Sequence, residues 1–487
     1  MRRTAIALAA ALAGCMVGPD YKRPEVPTPD AFRYEPKSVA PSATDTEWWK
    51  QFGDPVLDGY IVEALAHNKN VEVAVANVEQ AAGVLTTTRS PLFPQLGYQG
   101  DAARQRTNPF AGTRAAGIGT QEFTSYSVIA TASWEIDLWG RIRRLTESAR
   151  ASLLATDEAR RGVVLSLVAS TASTYLQLLG LDEQLATAKR TLGAYGETVK
   201  LFELQFKYGQ VSRMNVEQAR SQYETAAAQI PVIESQIAQT ETALSILLGR
   251  NPGPIKRGKA LSGLALPAVP AGLPSQLLEQ RPDLMQAEQT LIAANAQIGA
   301  AKAQYFPAIS LTGAYGGAST QLNDLFRGSS RVWSYGGSIL GPIFTGGAIS
   351  GQVAQAEGQQ KAALASYQLA IQNAFGNVEN ALVSNQKLAE QLDAQNRLVK
   401  ALSEYAKLAR LQFDGGYTSY TTVLQAEQQL FPAELNQATI RAQLYASYVA
   451  IYQALGGGWV TRADELSPQP IAGTLPAEDE KPAAPKE

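Results

Sequence analysis

Apolar residues return at alternating steps of three and four through Leu178, Leu181, Leu185, Ala188, Leu192, Tyr195, Val199, Phe202 and Phe206. That spacing lays one seam along a helix. Beyond a break at Tyr208-Gly209 it resumes on Val216, Ala219, Tyr223, Ala226, Ile230, Ile233, Ile237, Thr240, Leu244 and Leu247. The two runs predict a coiled-coil hairpin from Leu178 to Leu248 with its tip near Gly209. Gly140-Arg141 opens the outgoing arm, so one helix of about 67 residues is expected to reach Lys207, roughly 100 Å at 1.5 Å per residue. No compact domain needs that length. Pro231 removes a backbone donor from the return arm and should bend it locally.

Upstream, an apolar pattern on Leu57, Ile61, Ala64 and Leu65 and a second helix from near Val71 end at Phe93-Pro94, and the period changes to two. From Phe123 to Ile136, Tyr126, Val128, Ala130, Ala132, Trp134 and Ile136 alternate with Ser125, Ser127, Thr131, Ser133 and Glu135. This is a strand with one oily and one wet face. Leu96, Tyr98, Gly100 and Ala102 make a weaker partner, which places strands near 95–106 and 123–136 joined by the loop Thr107 to Gln121.

The chain then repeats itself. Phe306-Pro307 echoes Phe93-Pro94 at an offset of 213, while Leu411, Gln412, Phe413, Gly416, Ser419, Val423, Gln425 and Ala426 echo Leu204, Gln205, Phe206, Gly209, Ser212, Val216, Gln218 and Ala219 at 207. The six-residue difference is most simply assigned to the first strand loop. Ile309, Leu311 and Tyr315, then Trp333, Tyr335 and Ile339, predict strands near 308–317 and 331–343, with a second hairpin tip near 414–420. Two copies of helix, strand, strand, long helix and return helix therefore occupy 56–249 and 275–456. Pro/Gly-rich sequence at 250–274 reads as a linker, 15–55 as an extended strap closed by Trp48-Trp49, and 457–487, rich in Pro, Ala, Glu and Lys, as a disordered tail. The aromatic cluster could stack a ligand, but docking the strap is the simpler assignment.

Composition narrows the chemistry. The formal charge of -2 points away from nucleic acid, and one histidine and one cysteine cannot build a multi-ligand zinc or iron-sulfur site. His67 reads as a capping or surface residue. No nucleophile, base and orienter set emerges, so no catalytic residue and no cofactor is expected. Residues 1–14 form a short secretory leader. Its end, Leu12-Ala13-Gly14-Cys15, resembles a bacterial lipobox, which makes the sole cysteine a lipidation site; the bland alternative is an ordinary leader that contains cysteine. Met16, in place of the aspartate that retains such lipoproteins at the inner membrane, favours the outer membrane.

Four amphipathic strands of this length can cross a bilayer when tilted, yet they cannot close a barrel and would leave open edges in lipid. Closure must come from other copies, and three copies give twelve strands. Gly18-Pro19-Asp20-Tyr21 with Pro24, Trp48-Trp49 to Gly53-Asp54-Pro55, Trp134 through Arg141, Leu278 with Arg281-Pro282-Asp283, Ala287-Glu288 and the second Phe306-Pro307 resemble, in this order, the outer membrane factors of tripartite efflux systems, TolC/OprM type, NodT lipoprotein subfamily.

The resemblance implies a mainly α protein with a membrane β-barrel part: a homotrimer with a 12-stranded β-barrel, four strands per protomer, and a long α-helical coiled-coil barrel in the periplasm. It further implies passive export of small molecules such as drugs, with a periplasmic adaptor (membrane fusion protein) and an inner-membrane transporter of the resistance-nodulation-division class (RND) as partners. Carried over by position, the adaptor-docking tips are Tyr208, Gly209, Gln210, Val211, Ser212 and Arg213, and Gly415, Gly416, Tyr417, Thr418, Ser419 and Tyr420. Thr421 and Gln425 fall at the periplasmic constriction. Many relatives carry an aspartate where this chain has Gln425, so an acidic gate is not expected here. Arg281-Pro282-Asp283 could suggest an active site, but proline at a helix start with an acid in its first turn is a sufficient explanation. Protein export through the same architecture and a non-conducting structural lipoprotein are the alternatives. Four methionines and a single histidine argue against a dedicated copper or silver conduit.

Overall fold

The computed structural model describes residues 16–27, 29, 31–34, 47–107, 121–269, 280–456 and 459–475. The leader and Cys15 therefore lie outside the described residues, as do Leu278, most of the loop after Thr107 and the end of the chain. In order, the elements are α1 (Pro55–His67), α2 (Lys69–Arg89), β1 (Gln95–Thr107), β2 (Gln121–Ile136), α3 (Arg141–Lys207), α4 (Arg213–Leu247), α5 (Pro282–Ala303), β3 (Ala308–Ser319), β4 (Arg331–Leu340), α6 (Ala348–Asp414), α7 (Tyr420–Leu455) and α8 (Trp459–Glu465).

The four strands form one antiparallel sheet in the order β1-β2-β3-β4, which leaves β1 and β4 as free edges. Its register aligns the alternation seen in the sequence. Tyr98, Ala130, Tyr315 and Trp333 stand in one cross-strand row, and Leu96, Ala132, Gly313 and Tyr335 in the next. The opposite face carries rows such as Gln95, Ser133, Thr312 and Gly336. Trp333 and Tyr335 are stacked, with ring centroids 5.6 Å apart.

The long helices α3 and α6, each of 67 residues, run through both tiers of the helical part. Nearest the sheet the neighbours run α2, α3, α5, α6; further away they run α4, α3, α7, α6. Each tier is thus a wall four helices wide with two free edges. The heptad seam is the mortar of the lower wall: Leu181, Ala188 and Tyr195 of α3 pack against Ala226 and Ile233 of α4 and against Phe431 of α7. The helix α4 continues through Pro231, and α7 through Pro432.

Between the tiers lies the main core. The 3-10 turn Trp48–Phe52 and α1 pack on Val164, Val168, Ala172 and Tyr175 of α3 and on Tyr445, Val449 and Tyr452 of α7. Trp48 stacks on Tyr452 at 5.0 Å. The buried Asp54 caps α1 through the amide of Val56 and accepts from Tyr175 Oη at 2.9 Å and from the amide of Lys259 at 3.2 Å. A Cβ on Gly258 would lie 2.1 Å from that carboxylate, so the linker closes onto Asp54 only through glycine. Asn68, not the exposed His67, is the cap between α1 and α2: its side chain accepts from Asn70 N and donates to the carbonyl of Leu247 at 2.8 Å.

Three expectations need correction. The region after Gly456 is not a disordered tail throughout: α8 folds back, and Trp459, 1% exposed, stands edge-on to Trp48 and Trp49. Asp464 pairs with the buried Arg160, which also donates to Asp157 at 3.0 Å. A tryptophan and a paired acid outweigh the flanking polar composition. β4 ends at Leu340 and not at 343, because Pro342 has no amide to donate to the ladder. The surplus of the first repeat also lies chiefly in its strands, 13 and 16 residues against 12 and 10, and not in the loop alone.

Candidate functional site

The two hairpin tips have the same backbone geometry. In the first, the amide of Gly209 bonds the carbonyl of Phe206 at 2.9 Å and that of Gln210 bonds Gln205 at 2.9 Å; in the second, Gly416 bonds Phe413 at 2.9 Å and Tyr417 bonds Gln412 at 2.8 Å. These are paired helix C-caps that absorb orphan carbonyls, and they need a left-handed residue after the helix. Gly209 (φ 72) and Gly416 (φ 76) supply it. A Cβ at either position would meet nothing within 4 Å, so conformation and not space selects glycine.

The tips project bare side chains. Tyr208 is 69% and Tyr417 89% exposed, and Gln210, Ser212, Arg213, Gly415, Gly416 and Ser419 are exposed as well, while Val211 and Thr418 are half-buried. Ser212 Oγ bonds Asn215 Oδ1 at 2.6 Å and the Thr418 and Thr422 hydroxyls are 2.8 Å apart, which fixes the starts of α4 and α7. Just behind the tips, Phe202 of α3 is fully buried edge-on to Tyr420 (4.5 Å) and Phe413 (6.0 Å). Val216 and Ala219 of α4 complete this clasp, so it binds both hairpins together.

Thr421 and Gln425 are exposed one turn apart at the start of α7, whereas Val423, Leu424 and Ala426 face the clasp. Sequence reasoning missed Glu427. Burial holds its carboxyl above the usual glutamate range despite the nearby Arg410, and Tyr195 Oη donates to its backbone carbonyl at 3.4 Å. By the 207-residue offset Glu427 echoes Arg220, which lies off the heptad seam, so the sequence held no signal for its burial. Exposed Leu201 and Leu204 of the first hairpin recur as exposed Leu408 and Leu411 of the second.

At the opposite end, the remaining motif residues knit the sheet to the helices. Asp137 accepts from the amides of Ile142 and Arg143 and so caps α3, Arg141 is bidentate to Glu135, and Trp139 stacks on Phe306 at 4.6 Å while donating to the carbonyl of Pro307. The strap crosses beneath: Gly18 abuts Gly299 of α5, Arg144 donates to Asp20 at 2.8 Å, and Glu288 accepts from Tyr21 and Arg23. Arg281 bonds Asp283 and the carbonyl of Ala454, tying the start of α5 to the end of α7. Among the described residues no group of three or more His, Cys, Asp or Glu side chains is placed to hold a metal ion.

Both repeats match one family model, described as outer membrane efflux protein, over residues 60–250 and 273–457. The chain belongs to the outer membrane efflux protein family. This efflux protein is 37% identical over 478 residues to the toluene efflux pump outer membrane protein TtgF of Pseudomonas putida, covering 96% of this chain and 98% of the relative. It is 35% identical over 457 residues to the cation efflux system protein CusC of Escherichia coli O6:H1, covering 93% and 97%. The open-state structure of the outer membrane channel MtrE of Neisseria gonorrhoeae superimposes with a TM-score of 0.82 at 31% identity, covering 91% of this chain and 99% of that one. The efflux protein therefore has the TolC-like channel fold and the outer-membrane location of these relatives.

Proposed function

We propose that three copies close into one tube that serves as the passive exit duct of a tripartite efflux pump. The observation that carries this reading is the coincidence of free edges. The sheet ends on unpaired β1 and β4 with an aromatic-bearing oily face, and each helical tier ends on two unpartnered helices at the same sides. Three sheets of four strands make the twelve-stranded barrel, and three walls of four helices make a periplasmic barrel of twelve.

The duct performs no chemistry. Its bore at mid-height is neutral: on the side of α7 turned away from the aromatic core, cavities of about 750 and 840 Å³ are lined by Asn377, Asn380, Ser384, Gln443, Gln177 and Gln236, with Arg281 and Asp283 paired at the margin. Such a wall offers hydrogen bonds without a fixed net field, which suits varied small molecules. Energy comes from an inner-membrane transporter of the resistance-nodulation-division class, reached through a periplasmic adaptor that meets the exposed tips. Thr421 and Gln425 line the constriction behind those tips. Acylation of Cys15 adds an anchor, and Met16 leads the strap against Gly140 just below the sheet. The relatives give no support to protein export or to a non-conducting spacer.

Photo-crosslinkers at Tyr208 and Tyr417 in living cells test this. Capture of a periplasmic adaptor at both tips, and none from Tyr335 on the sheet, is the expected outcome. A conducting trimer that captures no adaptor would overturn the pump assignment, and a trimer that never conducts would overturn the duct itself.

A further inference from the structure

The two repeats lay down their strands in the same register. Moving β1 by 213 positions and β2 by 207 turns the pairs Gln95–Ser133 and Gly100–Val128 of the first hairpin into Ala308–Leu340 and Gly313–Tyr335, which are pairs of the second. Where the hairpins meet inside the chain, β2 pairs with β3 through Ala132–Gly313 and Ile136–Ile309. Just beyond, the link into α3 covers the start of β3: Trp139 stacks on Phe306 at 4.6 Å and donates to the carbonyl of Pro307. The equivalent junction of the second repeat, β4 with β1, is not made within the chain, because these are its two free edges. Its halves lie bare. Phe93 is 56% and Phe344 90% exposed, and Ile343 is wholly exposed.

The same two offsets convert the pairing of β2 with β3 into a pairing of β4 with β1 of another copy. Ala132–Gly313 becomes Ile339 opposite Gly100, and Ile136–Ile309 becomes Ile343 opposite Leu96. Side chains alternate across a strand, so a slip of one residue would turn the oily row of β1 against the wet row of β4. This register keeps oily with oily. Toward the far end it sets Arg106 opposite Trp333 and Arg104 opposite Tyr335, cations beside two stacked, exposed rings. Pro342 cannot donate to the ladder, so Ile343 and Phe344 pack and do not pair. Gly346 stands where the repeat would place a second Trp139, and with φ 57 it carries no ring. Phe344, two residues earlier, is the ring available to cover Phe93.

We propose that β4 of one copy pairs with β1 of a second copy in this register, and that Phe344 of the first caps Phe93 of the second, as Trp139 caps Phe306 within the chain. The occupant of the two bare edges is thus a second copy of this chain, and the socket around Phe93 is incomplete without it. The inference rests on the closure of three copies proposed above, and adds to it which residues meet at each seam. A free strand edge accepts any extended chain, whereas a barrel closes only at a fixed stagger. Equivalent registers at the seam within a copy and the seam between copies meet that condition with one geometry at every junction.

Full-length protein in outer membranes provides the test, with cysteine pairs oxidised and the chains separated in denaturing gels. Ile339→Cys with Gly100→Cys should link neighbouring copies; a side chain at Gly100 has room, since a Cβ there meets nothing nearer than 3.9 Å. Each single variant controls for Cys15, the one native cysteine. Ile339→Cys with Tyr98→Cys or with Ala102→Cys lies two residues out of register, about 7 Å along the strand and beyond the reach of a disulfide, and should stay unlinked. Linking of a shifted pair in place of the first would overturn the register and leave the duct standing. A trimer by native mass spectrometry in which no pair links would overturn the seam, whereas a protein that forms no trimer would overturn the duct reading and this inference with it. At the socket, Phe93→Ala and Phe344→Ala should each speed dissociation of the trimer in detergent roughly twofold to tenfold, the range for one aromatic pair, and the double variant should be no faster than the singles. Additive losses would overturn the cap.

Discussion

Phe202→Ala is the sharpest probe of what holds the two hairpin tips together. The ring is fully buried and touches Phe413 of α6 and Tyr420 of α7, with Val216 and Ala219 of α4 on its other side. Truncating a buried phenyl costs about 3–5 kcal/mol in lost transfer energy and cavity. Its two edge contacts contribute about 0.5–1.5 kcal/mol each within that loss. Only the part made across the two hairpins is released when the tips separate. Taking half of about 4 kcal/mol, the tips-apart state gains about 2 kcal/mol, roughly a 30-fold rise in its relative population. Single-channel recording of the purified trimer should show that rise in open probability, and limited proteolysis should show new cleavage near Gly209 and Gly416. Because the main core around Trp48 and Tyr452 is separate from the cluster that holds Phe202, its melting should be unchanged. Wild-type open probability in a variant whose tips have become protease-sensitive would refute the idea that this clasp couples tip packing to closure.

If Gln425 lines the proposed constriction, Gln425→Asp places a carboxylate at each of three symmetry-related positions there, and cation preference in bilayer recordings should increase; unaltered ion selectivity would remove Gln425 from the bore. Burial raises the Glu427 carboxyl, so folding favours its protonated form, and that contribution is present at low pH and lost as pH rises through the folded value. Glu427→Gln should accordingly melt like wild type below the ordinary glutamate value of 4.5 and above it at neutral pH, and a difference independent of pH would exclude this account. Arg160→Leu leaves Asp157 and Asp464 with only the longer contacts to Arg161, at 3.6 and 3.8 Å, and should cost about 3 kcal/mol, read as a lower melting temperature together with proteolytic release of the chain from Trp459 onward.

Periodicity alone was enough to determine the length of α3, the alternating faces of the four strands and the twofold repeat. These properties are local: a 3.5-residue period or a two-residue period dictates which side of an element avoids water, whatever it later meets. The glycine turns at Gly209 and Gly416 were legible for the same reason, since one residue's φ decides them. Tertiary structure decided what local pattern cannot encode. Only the fold shows that Asp464 answers Arg160 across 304 positions. It likewise brings Phe202 under Tyr420 and seats Gly18 on Gly299. Ion pairing, aromatic contact and close backbone approach depend on distance in space, and a chain that crosses the same wall four times brings together residues hundreds of positions apart. The order of helices in that wall also had to come from the fold, because the heptad seam marks which face of α3 is buried but not that two different return arms share it.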